Sequence, residues 1–156
     1  MNGQLEQIWR KRFHRGPMDH LTQATLCAGK GLLDSADQGG SRQITIIAEE
    51  RWAQTEAVFN RTLDPIVRRA NLLVSGINLT NSGNRILNVG PCQVYLLGET
   101  RPCERMDEAL KGLKNARELE WGGGVYGKVL IGGEINIGDK VFWDQHELHH
   151  KSLQSD

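Results

Sequence analysis

Cys103 lies in the stretch Glu99-Thr100-Arg101-Pro102-Cys103-Glu104-Arg105-Met106-Asp107-Glu108, with an arginine two positions away on either side. In an extended segment Arg101, Cys103 and Arg105 share one face, because side chains alternate along a strand. If Cys103 instead caps the helix indicated by Asp107-Glu108-Ala109-Leu110-Lys111, its sulfur lies near free backbone N–H groups. Either arrangement favours the thiolate, the form that attacks, carries sulfur or binds metal. The competing reading is a buried apolar cysteine, since free cysteine is among the most buried residue types.

Other chemical candidates are weaker. His146-Glu147-Leu148-His149-His150 matches the His-Glu-x-x-His pattern that sets two imidazoles one helical turn apart around zinc. It falls at the end of the chain, with little sequence after it to supply a third ligand, and reads as a polar tail over 146–156. Gly122-Gly123-Gly124 and Gly132-Gly133 lie among strands and read as turns. Gly29-Lys30-Gly31 lacks the spacing of a phosphate-binding loop. Cys92 shares a strand face with Val94 and Leu96, and Cys27 sits beside Leu26 and Ala28, so both read as structural. Neither makes a Cys-x-x-Cys pair with Cys103.

Composition narrows the function classes. The chain has 156 residues, 38% of them hydrophobic, enough for one domain with a real core, assigned here to residues 1–145. Formal net charge is zero, so no global field draws in nucleic acid or an anionic membrane, and neither is expected as a partner. Arg10-Lys11-Arg12-Phe13-His14-Arg15 is the one basic run; a solvated strand or loop explains it as well as an anion site does. No apolar stretch approaches the roughly 20 residues that span a bilayer. An odd cysteine count without a secretory signal argues for free thiols in a reducing, cytoplasmic setting.

The elements that must position these residues read mostly as β. Arg42-Gln43-Ile44-Thr45-Ile46-Ile47 alternates and is rich in branched residues. Glu49 to Phe59 follows a helical rhythm imperfectly, and Asp64-Pro65 has the form of a short helical start. Strands are expected at Asn71–Val74, Arg85–Val89 and Gln93–Leu97. Gly127–Ile131 and Glu134–Ile137 flank Gly132-Gly133, which predicts a hairpin. The pattern predicts a mainly β fold: a closed β-barrel with one or two peripheral helices.

Several of these segments, in order, resemble the MOSC domain, the family named for the C-terminal part of molybdenum cofactor sulfurase. The series runs through Gly16-Pro17-Met18, Gly29-Lys30-Gly31-Leu32, Ser41 to Ile47, Arg68-Arg69-Ala70-Asn71 to Leu79 and Gly90 to Val94. It closes with Arg101-Pro102-Cys103 and Tyr126 to Val141, covering about residues 8–143. The resemblance implies a mostly β barrel and makes Cys103 the functional cysteine, carrying sulfur as a persulfide or ligating the molybdenum of a pterin cofactor. It also implies that Arg69 and Asn71, on an Arg-x-Asn strand, and Arg42, on an earlier strand, contact the cofactor or another anion, with Arg101 beside Cys103. A surface ion pair is the alternative for each arginine.

The chain also departs from the family. Many relatives follow the early Gly-Leu with Gly-Asp, whereas Leu32 here precedes Leu33-Asp34-Ser35-Ala36-Asp37, in a loop that borders the family's pocket. No pyridoxal-phosphate sulfurase domain, iron–sulfur module or flavin module is present in these residues. The expected partner is therefore a desulfurase that uses pyridoxal phosphate and supplies sulfur, or an external reductase. Three functions follow: a sulfur carrier, a molybdenum-dependent reductase of small N-hydroxylated compounds, or a non-catalytic barrel that binds an anion or partner.

Overall fold

A computed structural model describes residues 2–59, 62, 64–100 and 124–144. The segment with Arg101, Cys103 and Arg105, the helix expected at Asp107, and the His146–His150 tail lie outside the described residues.

The strands are β1 (Gly3–Lys11), β2 (Met18–Leu21), β3 (Gln23–Cys27), β4 (Gly31–Leu32), β5 (Ile44–Ala48), β6 (Leu72–Ser75), β7 (Ile86–Val89), β8 (Cys92–Glu99), β9 (Val125–Ile131), β10 (Gly133–Asn136) and β11 (Lys140–Trp143). Seven of them close a barrel in the order β1-β11-β7-β8-β9-β5-β6 and back to β1, as the sequence predicts. Closure removes the unpaired edges that invite aggregation. β2 extends the wall from the far half of β1, where Lys11 pairs with Met18. Helix α1 (Glu49–Phe59) and a 3₁₀ turn (Pro65–Arg68) connect β5 to β6, the one parallel pair among the described strands. A parallel pair cannot be joined by a tight turn, so this longer crossover is obligatory. Glu49 and Glu50 open α1, where negative charge suits the exposed N–H groups, and the buried Trp52 anchors it.

Strand alternation sorts the apolar residues into two cores. Ile44, Ile46, Leu72, Val74, Cys92, Val94 and Leu96 fill the barrel interior with the other inward positions. Ile47 and Leu73, one residue out of phase, point the other way and pack with Trp9 and Ala70 against Met18 and Ile66. This second core lies directly under the 3₁₀ turn and fixes the residues that follow it. Asp64 caps the turn by accepting from the Ile66 amide at 3.0 Å, and Pro65 supplies the preset φ at its first position.

The hairpin expected around Gly132-Gly133 does not form. β9 pairs with β8 and β5, whereas β10 pairs with β3 in a separate three-stranded sheet, from Gly133 opposite Leu26 to Asn136 opposite Gln23. A Cβ at Gly132 would sit 2.4 Å from the Leu26 carbonyl oxygen. The glycine is thus used for close passage against β3, where the chain leaves one sheet for the other, rather than for a turn back onto β9.

Candidate functional site

A cavity of about 240 Å³ opens at the barrel end where β1 finishes and β5 and β6 begin. Each strand end delivers a polar residue to it. Lys11 is the last residue of β1; Arg42 precedes β5, and Thr45 is its second residue. Arg68 ends the 3₁₀ turn, Arg69 caps it, and Asn71 immediately precedes β6. Thr100 follows the end of β8. Arg42, Arg69 and Asn71, separated by up to 29 positions in sequence (71 minus 42), therefore line one cavity. Three local assignments differ from expectation. Asn71 stands in the bend just before its strand rather than on it. Arg42 lies in the loop before its strand, and Arg69 is not on a strand at all but adopts a left-handed conformation, φ 60° and ψ 35°, that stops the 3₁₀ turn.

Asn71 is 8% exposed and works as a clamp between the parallel strands. Its amide donates to the Thr45 carbonyl at 3.0 Å, and its Oδ1 accepts from the Thr45 amide at 3.0 Å and from the Thr45 hydroxyl at 3.2 Å. Its Nδ2 donates to the Trp9 carbonyl at 3.4 Å, tying in β1. The side chain meets backbone on two strands while facing the cavity, so its first role is to hold the site's shape.

The cations are also held. The Arg69 guanidinium donates to the Gly16 carbonyl at 2.8 Å, fixing the loop between β1 and β2. Arg68, buried, donates to the Thr100 hydroxyl. Arg42 lies over the Tyr126 ring at 5.2 Å from its centroid, a cation–π distance. Lys11 pairs with Asp37 at 3.2 Å. Asp37 also accepts from His14 Nδ1 at 2.9 Å, and these two hydrogen bonds, His14's first, hold its carboxyl below the usual range. Two more cations of the basic run are likewise paired: Arg12 meets Asp19 at 2.5 Å and Arg10 meets it at 3.8 Å. Only Lys11 of that run reaches the cavity.

Lys11, Arg42, Arg68 and Arg69 oppose a single carboxylate, Asp37, among the described lining residues. Gln38 adds a donor: its Nε2 is buried at the cavity wall with no hydrogen-bond partner. Fixed guanidinium forks plus an unmatched amide donor fit a tetrahedral oxyanion such as a phosphate ester. Sequence reasoning did not single out Arg68, Gln38 and Thr100, and it reached Lys11 and Asp37 only as members of a basic run and of a pocket-bordering loop. The signals were present for two of the first three, since Arg68 adjoins Arg69 and Thr100 adjoins Arg101.

Thr100 is also the last described residue before the Cys103 segment. Its amide donates to the Gly124 carbonyl at 2.9 Å, so the residues bracketing 101–123 are joined at a neck beside the cavity. Gly124 has φ 97°, and a Cβ there would meet the Ile46 carbonyl oxygen at 2.5 Å.

The other cysteines differ from one another. Cys92 is fully buried, and burial followed by the nearby Asp139 charge pushes its thiol up to about 11. Cys27 is half-buried and lines a second cavity of about 380 Å³ with Lys30 and Asp34. No group of three or more histidine, cysteine or acidic residues that could hold a metal occurs among the described residues. No helix among them is long and apolar enough to cross a membrane.

The family model described as "MOSC domain" matches residues 10–142. Among solved structures, the chain is similar to the YuaD protein from Bacillus subtilis, at TM-score 0.74 and 18% identity, covering 90% of this chain and 94% of that one. It is also similar to YiiM from Geobacillus stearothermophilus, at TM-score 0.71 and 16% identity, covering 92% and 76% of the two chains. YiiM from Escherichia coli gives TM-score 0.70 and 14% identity, covering 93% and 70%. No protein of curated function matches.

Proposed function

Because the chain belongs to the MOSC domain family, we propose that it acts through Cys103 in sulfur carriage or molybdenum cofactor binding, with the cationic cavity holding the anionic part of its ligand. The observation that carries this reading is the neck. Thr100 lines the cavity, and three peptide links separate it from Cys103, a reach of at most about 11 Å.

As a sulfur carrier, the Cys103 thiolate attacks the outer sulfur of a donor persulfide. The new S–S bond leaves Cys103 as a persulfide and releases the donor as a thiolate. Arg101 and Arg105 stabilise the charged form, which is also the nucleophilic one. The donor is a separate desulfurase, which holds the pyridoxal phosphate, and the exchange takes place in the cytoplasm.

The unmatched Gln38 donor and the arginines favour a second form, in which the cavity takes the phosphate of the molybdenum cofactor. Arg42 and Arg69, with Arg101, would hold that phosphate, Asn71 would keep the strands beneath it in register, and Cys103 would supply the soft ligand. When bound, the cofactor supplies reduction of small N-hydroxylated compounds, with electrons from an external reductase.

The test is metal and pterin content of protein purified from a host that makes the cofactor, with Cys103→Ala alongside. Near-stoichiometric molybdenum that the variant loses selects the second form. No molybdenum, with a wild-type mass one sulfur atom heavier at Cys103, selects the first. A protein with neither, whose C103A variant keeps all ligand binding, overturns both and leaves a binding barrel.

A further inference from the structure

We infer that Asp37 is a built-in counter-anion of the cavity, occupying Lys11 until a ligand oxyanion takes its place; this rests on reading the cavity as an anion site. The charges around it are uneven. Lys11, Arg42, Arg68 and Arg69 line the cavity, and Asp37 is the lone carboxylate among its described lining residues. Asp37 Oδ2 lies 3.2 Å from Lys11 Nζ, and both carboxylate oxygens lie 2.9 Å from His14 Nδ1 on the cavity's outer side. The carboxylate therefore has an inner partner, the Lys11 ammonium, and an outer one, the His14 imidazole. An oxyanion entering the cavity can take Lys11 while Asp37 keeps His14.

The backbone sets Asp37 in this position. Ala36 N donates to the Lys11 carbonyl at 2.9 Å, and Lys11 N donates to Ser35 Oγ at 3.0 Å, so the loop is laced to the end of β1. Asp37 itself has φ 58°, a left-handed conformation that asparagine and aspartate tolerate better than most residues. The loop Leu33–Asp37 thus places a carboxylate against the cavity's own Lys11. Its consequence is a site that releases its anion rather than one that traps it.

The test is titration of sulfate, which stays dianionic across the working pH range, into wild type, Asp37→Asn and Asp37→Gly by calorimetry at low ionic strength. Both replacements tolerate the left-handed backbone, so a misfolded variant of one leaves the other. Losing one unit charge near Lys11 is expected to tighten sulfate roughly fivefold. The gain is expected to disappear in Asp37→Asn combined with Lys11→Met. Equal sulfate affinity in wild type and both variants overturns the inference while leaving the anion site intact. No sulfate binding by any folded protein overturns the anion site itself, and the inference with it.

Discussion

Replacing Asn71 with alanine removes the clamp between β5 and β6 and tests whether this residue is chiefly a strand link. Three contacts are lost: those from the Thr45 amide at 3.0 Å and hydroxyl at 3.2 Å, and that to the Trp9 carbonyl at 3.4 Å. The last is long and contributes least. The first matters most, because Asn71 is 8% exposed and its loss strands a shielded amide. A lost hydrogen bond costs about 1 kcal/mol net, and an unmatched buried donor about 1–3 kcal/mol more, giving about 3 kcal/mol in all. For a chain of this size that corresponds to a midpoint lower by about 6–12 °C. Asn71→Asp keeps an acceptor for the Thr45 amide and loses only the donor to Trp9. The assay is thermal unfolding of the three proteins together with amide hydrogen exchange at Thr45. Exchange is expected to quicken in Asn71→Ala and to stay protected in Asn71→Asp. Unchanged stability and unchanged Thr45 protection in Asn71→Ala would refute the clamp and return Asn71 to a ligand-contact role.

In native-state alkylation near pH 8, Cys92 is expected to stay unlabelled, since a thiol at about 11 is ionised roughly a hundredfold less than one at 9 and is fully buried besides. Under the proposed function Cys103 labels below the pH expected of a free thiol near 8.5, and equal slow labelling of all three cysteines by peptide mass mapping would sink that reading. Asp19, held low chiefly by the Arg12 hydrogen bond, and Asp37, held low chiefly by His14, contribute stability above about pH 4 that is lost as pH falls through their depressed native values. Asp19→Asn is expected to flatten the acid side of the stability curve, and an unaltered acid limb would contradict this. Gly132→Ala forces a Cβ to 2.4 Å from the Leu26 carbonyl and is expected to cost about 1–3 kcal/mol, read by denaturant midpoint; a neutral effect would show that β3 can yield.

The central strands were legible because their alternation is clean. Cys92, Val94 and Leu96 share the inward face, and Ile44 and Ile46 do the same on β5. β1 was hidden by a register shift between Leu5 and Gln7, which brings Leu5 and Ile8 into one core despite their odd spacing. The pairing of β10 with β3 depends on a distant partner, and no local pattern encodes it. At the site, Arg42, Arg69 and Asn71 were legible only through family resemblance, while Lys11 was masked by its place in a basic run whose Arg10 and Arg12 pair with Asp19. Asp37 and Gln38 become informative only when the loop's position is known, because an acidic or amide residue in a glycine-rich loop otherwise reads as solvated.

The hydrogen bond from Thr100 to Gly124 turns the β8–β9 connection into an exchangeable cassette. Both ends are fixed by the β8–β9 ladder, itself part of the closed barrel, and lengthening a closed loop costs little, about 0.6 kcal/mol for each doubling. Segments of different length and composition could therefore be spliced between these two residues while the cationic cavity stays in place. One chassis can then present different chemistries to the same anion, and grafting at Thr100 and Gly124 is a practical route to engineering them.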